Sequence, residues 1–328
     1  MDFKWFNCVT MSTPVNLYIL DYPDAMSSAL HGIEDLFTIA NRLAEQELFV
    51  LQRVSPSVSV SILANGVVII PPCMAHPLPR FSDAETLTLL RQWHDSGVLL
   101  VASCAGVFWL ANAGLLDGKQ VTTHWWLCQQ LADSFPKIER VCQHEMVVDQ
   151  GDIVTAAGLY AFQDLSLHIM VRYAGYALAK KVADFCLLDL DGRLQAYYQR
   201  FRVDFSHGDS VVVKAQQYCA EHLSADMSIV QLASHCHTSQ RTLLRRFKQA
   251  TGFSPKQYLI QLRIEKAKQL IDLKQGSIEV IAGQLGYSDT SNFIKSFKKT
   301  AGVTPAEFRA RQGGGEKAVQ LTANGMGN

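Results

Sequence analysis

Short apolar runs alternate with amphipathic stretches over the first 190 residues of the chain. Apolar and β-branched residues follow one another in the short runs, which predicts strands at 15–20, 48–54, 58–63, 67–70, 98–102 and 120–123. Apolar residues recur every three or four positions in the longer stretches, which predicts helices at 30–46, 83–96, 106–114, 161–175 and 178–188. Two further strands, 145–148 and 152–155, flank Asp149-Gln150-Gly151, a sequence typical of a hairpin turn. This alternation predicts a parallel or mixed sheet covered by helices on both faces.

From residue 209 onward the apolar spacing is helical, and one pattern occurs twice. The first copy begins at Ser228 and reads SIVQLASHCHTSQRTLLRRFKQATGFSPKQY, and the second begins at Ser277 and reads SIEVIAGQLGYSDTSNFIKSFKKTAGVTPAEF. Each copy predicts a short helix, a tight turn and a longer helix that ends in Phe-Lys. Ser239 and Ser288 are the predicted N-caps of the longer helices, since a serine hydroxyl accepts a hydrogen bond from a free N–H of the first turn.

Two helices joined across a tight turn form a helix-turn-helix, whose second helix can enter a DNA major groove. A single copy is a weak indication, because such helix pairs also occur inside ordinary helical domains. Two copies, each with a basic second helix, are a strong one. The helix predicted between them, residues 255–273, would span roughly 28 Å, while successive major-groove faces lie roughly 34 Å apart. The repeat therefore predicts two helices placed in successive grooves of one duplex.

The distribution of charge agrees with that prediction, although the total does not. The chain of 328 residues has a formal net charge of zero, which by itself argues against a nucleic-acid binder. Residues 1–207 hold 14 basic and 21 acidic residues, whereas residues 208–312 hold 15 basic and 8 acidic ones. An acidic part joined to a basic part is typical of a sensor fused to a polyanion-binding module.

The remaining composition predicts a cytoplasmic protein without a metal or a cofactor. The eight cysteines are scattered and form no C-x-x-C pair, so we expect reduced thiols. The first residues are too mixed for a secretory signal, and no apolar run reaches the roughly 18 residues of a membrane span. His235-Cys236-His237 has metal-ligating residue types but lacks a second cluster to complete a site.

A candidate reactive centre lies between the strand at 98–102 and the helix that follows it. Cys104 stands in a turn of small residues at the start of that helix, where the helix dipole and free N–H groups favour a thiolate. His124 follows the next predicted strand and could present an imidazole to the thiol. The residues alone leave two interpretations open: a reactive thiol, or a buried structural cysteine.

Residues 209–312 closely resemble the AraC/XylS-type DNA-binding domain, through LASHCHTSQRTLLRRFKQATGFSP, QLRIEKAKQLI and IAGQLGYSDTSNFIKSFKKTAGVTPAEFR. The resemblance implies that the second helix of each copy contacts base edges, through Arg241, Leu244 and Arg245 in the first copy and Ser291, Asn292 and Lys295 in the second. Arginine pairs with guanine and asparagine with adenine, while leucine offers an apolar contact, for instance to a thymine methyl. Phosphate contacts are expected from Arg246, Lys248, Lys298 and Lys299.

Residues 15–188 resemble the PfpI, or class I glutamine amidotransferase-like, superfamily through SCAGVFWLANAGLLDGKQVTTHW. The resemblance implies a flavodoxin-like α/β sandwich. Members with thiol chemistry use a cysteine and a histidine that match Cys104 and His124, an upstream carboxylate, and a Gly-Gly oxyanion turn. Here the carboxylate position falls nearest Ser28, and Pro71-Pro72-Cys73 replaces the Gly-Gly turn with prolines that have no N–H to donate. We therefore expect a pocket that keeps its shape without the catalysis.

The predicted pocket lies at the carboxyl ends of the strands, where open α/β sheets bind ligands. Its candidate residues are Ser28, Cys73, Cys104, Trp109, His124 and Trp125. Aromatic walls suit a cationic ligand such as an amine, an amino acid or a betaine. These tryptophans, together with Trp126, are equally consistent with contacts in the core or in a dimer.

A PfpI-like domain followed by an AraC-type domain resembles the GlxA-like subgroup of bacterial transcription regulators. The resemblance implies a regulator without enzymatic activity, with an N-terminal extension (1–14), a sensing and dimerisation domain (15–189), a linker (190–208), a DNA-binding domain (209–312) and a disordered tail (313–328). We expect a homodimer that binds double-stranded promoter DNA, responds to a small nitrogenous effector and activates RNA polymerase. Two alternatives stay open: a thiol-dependent hydrolase or deglycase tethered to DNA, and a redox sensor based on Cys104.

Overall fold

The structure is a computed structural model that describes residues 13–56, 66–190 and 194–311. Residues 1–12 of the predicted N-terminal extension, the strand predicted at 58–63 and the tail predicted at 313–328 lie outside the described residues. The chain divides into two compact units, Met1–Gln195 and Ala196–Asn328. The predicted linker is therefore shared between the units, with its last residues in the second.

A mixed sheet forms the centre of the first unit. In chain order the strands are β1 (Val15–Leu20), β2 (Phe49–Val54), β3 (Val67–Ile70), β4 (Leu99–Ser103), β5 (Gln120–Val121), β6 (Arg140–Val141), β7 (Val147–Asp149) and β8 (Ile153–Ala156). Among the described residues, six of them form one sheet in the order β2-β1-β3-β4-β8-β7. All its neighbours are parallel except β7, which is antiparallel to β8, so the predicted mixed sheet is confirmed. The strands β5 and β6 pair separately.

Helices cover both faces of this sheet. They are α1 (Ser27–Ala44), α2 (Ala84–Asp95), α3 (Val107–Asn112), α4 (Cys128–Ser134), α5 (Phe162–Ala174) and α6 (Tyr176–Phe185). Neighbouring residues of β4 point to opposite faces: Val101 packs in the cluster that contains Phe37 of α1, and Leu100 packs in the one that contains Leu110 of α3. Because both faces are covered, β3, β4 and β8 are buried over their whole length.

The described part of the second unit is helical. Its helices are α7 (Ser210–Glu221), α8 (Ile229–His235), α9 (Gln240–Thr251), α10 (Pro255–Asp272), α11 (Ile278–Gln284) and α12 (Thr290–Ala301). The pairs α8–α9 and α11–α12 are the two predicted helix-turn-helix copies, and α10 connects them. We refer to α9 and α12 as the recognition helices.

The N-caps of the two recognition helices differ from each other. Ser239 caps α9 as predicted, since its hydroxyl accepts a hydrogen bond of 3.2 Å from the N–H of Thr242. The prediction of Ser288 as the second cap is wrong. Asp289 caps α12 instead, and its carboxylate accepts a hydrogen bond of 2.9 Å from the N–H of Ser291. The second recognition helix therefore begins one residue later than the sequence pattern indicates.

Two glycines of the second unit have nearly the same backbone conformation but different surroundings. Gly286, which follows α11, has a φ of +78°, and a Cβ there would lie 2.3 Å from the carbonyl oxygen of Ser224. Gly252, at the end of α9, has a φ of +77°, and a Cβ there would meet nothing within 4 Å. Substituting these two glycines therefore distinguishes two free-energy costs, that of a side chain on a left-handed backbone and that of a clash with a neighbouring backbone.

We expect Gly286→Ala to destabilise the second unit more than Gly252→Ala. Both substitutions place a Cβ at a left-handed residue, which costs about 1–2 kcal/mol, and Gly286→Ala adds a clash of about 1–3 kcal/mol. Urea unfolding followed by far-UV circular dichroism measures the difference. Tryptophan fluorescence is the control and should not move, because all five tryptophans lie in the first unit. Equal losses in the two variants would contradict the expectation.

Candidate sensor site and DNA interface

Cys104 is held at a sharp turn between β4 and α3. Its φ of +53° lies in the left-handed region, which is uncommon for a residue with a Cβ. Gly106 permits the turn, because a Cβ there would lie 2.5 Å from the carbonyl oxygen of Pro71. On the other side, the hydroxyl of Thr123 donates a hydrogen bond of 2.7 Å to the carbonyl of Cys104. Neighbouring segments thus fix the strained backbone of this cysteine.

Burial determines the protonation of the Cys104 thiol. The residue is 4% exposed, and desolvation raises its pKa to about 12, although a hydrogen bond with the backbone of Ala105 lowers it in part. The start of the helix, which the sequence indicates as favouring a thiolate, is therefore outweighed by desolvation. Because the sulfur stays protonated at neutral pH, it is a poor nucleophile and a poor target for oxidation.

Tyr22 and Cys73 lie close to this thiol. The hydroxyl of Tyr22 donates a hydrogen bond of 2.7 Å to the carbonyl of Pro71, and its ring packs edge-on against Trp109 with centroids 5.6 Å apart. Burial raises the pKa of Tyr22, and negative charge on Cys73 or Cys104 would raise it further. Burial likewise raises the pKa of Cys73. Neither of these two side chains is a cation that would stabilise a thiolate on Cys104.

The segment that stands in place of an oxyanion turn presents carbonyl groups that are already bonded. The Pro71 carbonyl accepts the hydroxyl of Tyr22, and the Pro72 carbonyl accepts the N–H of Met26 at 2.8 Å. Ser28 is exposed in the first turn of α1. The carboxylate near these thiols is Asp24, whose negative charge raises the pKa of Cys73. It therefore opposes the formation of a thiolate on that residue.

The imidazole of His124 interacts with the residues that follow it in the chain. The N–H of Trp126 donates to Nδ1 of His124 at 3.2 Å, so the neutral ring carries its proton on Nε2. Burial lowers the pKa of His124, which keeps the ring neutral at pH 7. The ring packs against Trp125 with centroids 5.2 Å apart. On its other side, a Cβ placed at Gly158, in the loop after β8, would be 4.0 Å from the imidazole Cδ2.

The predicted pocket residues thus fall into separate groups. Cys73, Cys104 and Trp109 belong to the buried surroundings of Tyr22, where Trp109 is 6% exposed and its Nε1–H has no hydrogen-bond partner among the described residues. His124 and Trp125 lie at the half-buried carboxyl edge, and Ser28 lies at the surface of α1. Sequence reasoning missed Tyr22, although its place directly after β1 is a signal for that edge of the sheet.

One face of α9 carries the first set of predicted base contacts. Leu243 and Phe247 are 0% exposed and pack in the core of the second unit. The opposite face is exposed and is formed by Gln240, Arg241, Leu244, Arg245, Lys248 and Gln249. These exposed side chains follow the spacing of one helical face, and three of them are cationic. The helix can therefore present a continuous basic surface to a groove of DNA.

The second recognition helix has the same construction. Phe293 and Phe297 are 0% exposed and hold α12 against the core. The side chains predicted to meet DNA are all exposed, namely Ser291, Asn292, Lys295, Lys298 and Lys299. The second unit thus presents two helices whose polar and basic faces both point away from the core.

Arg246 differs from the other residues predicted to contact phosphate. Its guanidinium donates two hydrogen bonds, of 2.6 and 2.8 Å, to the carboxylate of Asp209, the residue that caps α7. The hydrogen bond from Arg246 is the main cause of the lowered pKa of Asp209. Arg246 therefore joins α9 to the start of α7, and its charge is already paired.

Comparison with known proteins agrees with this division of the chain. A profile of the DJ-1/PfpI family matches residues 54–172, and a profile described as a helix-turn-helix domain matches residues 232–311. The HTH-type transcriptional regulator ArgR of Pseudomonas aeruginosa is 30% identical over 230 residues, which are 69% of this chain and 68% of that protein. The chain belongs to the AraC-type transcriptional regulators with a DJ-1/PfpI domain.

Two further relatives are also similar to this chain over both of its units. The HTH-type transcriptional regulator GbdR of Pseudomonas aeruginosa is 27% identical over 81% of this chain and 70% of its own length. The HTH-type transcriptional regulator GlxA of Rhizobium meliloti is 26% identical over 69% of each chain. This AraC-type regulator therefore has DNA as a partner. None of the helices in the described ranges combines the length and apolar character that crossing a membrane requires.

We expect the Cys104 thiol of this AraC-type regulator to resist alkylation. With a pKa of about 12, only about one thiol in 10⁴ is ionised near pH 8. Iodoacetamide labelling of the native chain, followed by mass spectrometry, should modify the partly exposed Cys186 and leave Cys104 intact. Labelling in urea is the control, since both thiols are then accessible. Labelling of Cys104 ahead of Cys186 in the native chain would contradict the burial described here.

Proposed function

We propose that this AraC-type regulator is a sequence-specific transcription factor whose first unit senses a small ligand and has no hydrolase activity. The observation that carries the proposal is the pair of recognition helices, which expose matching basic faces in a unit where basic residues outnumber acidic ones. The protonated thiol of Cys104 and the bonded carbonyls of Pro71 and Pro72 support a sensor over a thiol enzyme or a redox sensor.

The proposal divides the chain into a sensing and dimerisation domain, 15–189, a linker, 190–208, and a DNA-binding domain, 209–312. Base edges would be read by Arg241, Leu244 and Arg245 on α9 and by Ser291, Asn292 and Lys295 on α12. Phosphates would be held by Lys248, Lys298 and Lys299. A homodimer on paired promoter sites, with contact to RNA polymerase, would make the protein an activator.

The effector site is proposed at the carboxyl edge of the sheet, around His124, Trp125 and Gly158. The indole of Trp125 is half-buried, so one face can stay available for a ligand. Because burial lowers the pKa of His124, the neutral imidazole does not repel a cation. An aromatic, uncharged edge fits an amine, an amino acid or a betaine, whose ammonium group is attracted to the face of an indole.

Gln195 offers a route by which an effector at this edge would influence the linker. Gln195 is 3% exposed, and its carboxamide oxygen accepts the N–H of Trp125 at 2.9 Å. Its amide nitrogen lies 3.0 Å from the hydroxyl of Thr122 and 3.1 Å from the carbonyls of Thr123 and Glu145. A ligand that moves the backbone at Trp125 would thus disturb the last residue of the first unit.

The linker is bound to α10 only four positions further along the chain. The buried ammonium of Lys268 donates a hydrogen bond of 2.8 Å to the carbonyl of Gln199. The guanidinium of Arg200 lies 3.1 Å from the carboxylate of Asp272, and the N–H of Phe201 donates to Glu265 at 3.0 Å. Since α10 joins the two helix-turn-helix copies, a change in the linker would reach both recognition helices. A ligand can act in this way only through its different affinity for two linker arrangements.

The DNA-binding part of the proposal is tested on sites that the full chain selects from a random DNA pool. Arg241→Ala and Lys295→Ala should relax the selected sequence, because each base contact is worth about 1–3 kcal/mol of discrimination. Lys298→Ala should weaken all sequences alike and reduce the salt slope by about one. Arg246→Ala is the control: it should lower the unfolding midpoint and leave the salt slope unchanged. Selection of no sequence at all would overturn the proposed function.

The sensing part is tested by a thermal-shift screen of amines, amino acids and betaines on the full chain, since a ligand of the native state raises the melting temperature. A stabilising compound should also change the affinity for the selected DNA. Trp125→Ala should abolish the thermal shift. Gln195→Ala should keep the shift but lose the effect on DNA affinity, whereas Gln199→Ala, which retains its main-chain carbonyl, should keep both. If Gln195→Ala keeps both the thermal shift and the effect of the compound on DNA affinity, the proposed route is wrong.

A further inference from the structure

The two recognition helices repeat at an offset of 50 residues, and every boundary of the helices follows that offset. The N-caps are Ser239 and Asp289, and the left-handed C-caps are Gly252 and Gly302. The buried pairs are Leu243 with Phe247 and Phe293 with Phe297. From 241 to 250 and from 291 to 300 the order of buried, intermediate and exposed residues is the same, except at the second position. The structure therefore assigns each residue of α9 an equivalent in α12.

That register assigns the expected base-contacting positions differently from the sequence pattern. Ser291 corresponds to Arg241 and Lys295 corresponds to Arg245, but Asn292 corresponds to Thr242. The hydroxyl of Thr242 lies 2.9 Å from that of the N-cap Ser239, so this position faces the start of the helix. The equivalent of Leu244 is Ile294, a residue that the motif resemblance does not place at DNA.

Leu244 and Ile294 have the same environment. They are 42% and 37% exposed, although a branched aliphatic side chain gains free energy from leaving water. Each is followed directly by a cation, Arg245 or Lys295. A large apolar residue in the middle of an exposed basic face gains free energy if whatever that face binds offers it an apolar partner. In the major groove of DNA the apolar group that a base edge offers is the methyl group of thymine.

We propose that Leu244 and Ile294 are a matched pair of thymine readers, one on each recognition helix. The proposal rests on the proposed function, because it requires both helices to lie in major grooves. Two equivalent residues on repeated helices would read equivalent positions in two successive grooves. The operator should therefore contain two thymines in the same orientation, separated by about one helical turn, or roughly 10 base pairs.

The test removes the methyl group alone. In the DNA selected by the full chain, each thymine is replaced in turn by deoxyuridine, which keeps base pairing and lacks only that methyl. We expect the wild-type chain to lose about four-fold in affinity at each of two thymines, since that is the factor for one buried methyl group. Leu244→Ala should lose sensitivity at one thymine and keep it at the other, and Ile294→Ala should show the reverse.

Val230→Ala and Val280→Ala are the matched controls, because both valines are exposed aliphatic residues of the same unit on α8 and α11. Both variants should retain the full deoxyuridine effect. Circular dichroism of all variants checks that the helices are intact. If deoxyuridine has no effect, or if the effect persists in Ile294→Ala, the pairing is wrong even though DNA is bound specifically. If no sequence is selected, the proposed function fails and the inference fails with it.

A sharper contradiction is also available. If Asn292→Ala, and not Ile294→Ala, removes the sensitivity at the second thymine, the register taken from the helix boundaries does not describe the bound state. If Leu244 and Ile294 instead contact another protein, their alanine variants should leave DNA affinity and the deoxyuridine effect unchanged. That result would also overturn the proposal.

Discussion

The rotation of each recognition helix about its own axis is set by two buried side chains one turn apart, and the DNA-facing surface depends on it. Leu243 and Phe247 hold α9, and Phe293 and Phe297 hold α12. Each buried side chain contributes about 1.5–3 kcal/mol relative to exposure. A rotation of either helix by one residue toward its basic face would put Lys248 or Lys298 in the buried place of Phe247 or Phe297. Burying a charge that has no partner is expensive. The identity of the outward face is therefore decided by the inward one.

In the first unit, burial determines the chemistry of one side chain, the thiol of Cys104. The backbone around Cys104 has the strained turn that presents a nucleophile in reactive members of the superfamily, but the thiol is buried, with Tyr22 and Cys73 close by. Desolvation keeps this sulfur neutral. The same turn that would position a reactive thiolate then serves as a rigid support for Thr123 and the residues that follow it.

Most of the fold could be predicted from the sequence, because burial on both faces gives continuous apolar strands and burial on one face gives a helical period. The second copy of the helix-turn-helix was recognised for the same reason. The N-cap of α12 could not be predicted in this way, because serine and aspartate both favour that position and Ser288 and Asp289 are adjacent. The protonation of Cys104 depends on how deeply the residue lies, which spacing does not reveal.

Long-range polar contacts were out of reach of sequence reasoning. Gln195 lies in a segment without a hydrophobic period, and its partners lie 50 to 73 positions earlier in the chain. Arg246 looks like its basic neighbours until its partner Asp209, 37 positions earlier, is known. In both cases the role of the residue depends on its hydrogen-bond partner, which a single sequence does not identify.

The attachment of the linker at Gln195 and again at Gln199 has a practical consequence for exchanging parts between regulators of this kind. A chimera joined near residue 190, where the composition changes, places Gln195 behind a foreign sensor domain. That domain lacks the Trp125 segment whose N–H donates to Gln195 in this chain. A cut after Phe201 instead carries Lys268 and Glu265 away from the carbonyl and N–H they bind. Either cut joins two folded domains and breaks one of the two attachments. The segment 194–201 should therefore be transferred together with the residues that bind its two ends, Trp125 in the first unit and Lys268 and Glu265 on α10. A simple spacer, by contrast, can be given any length and composition.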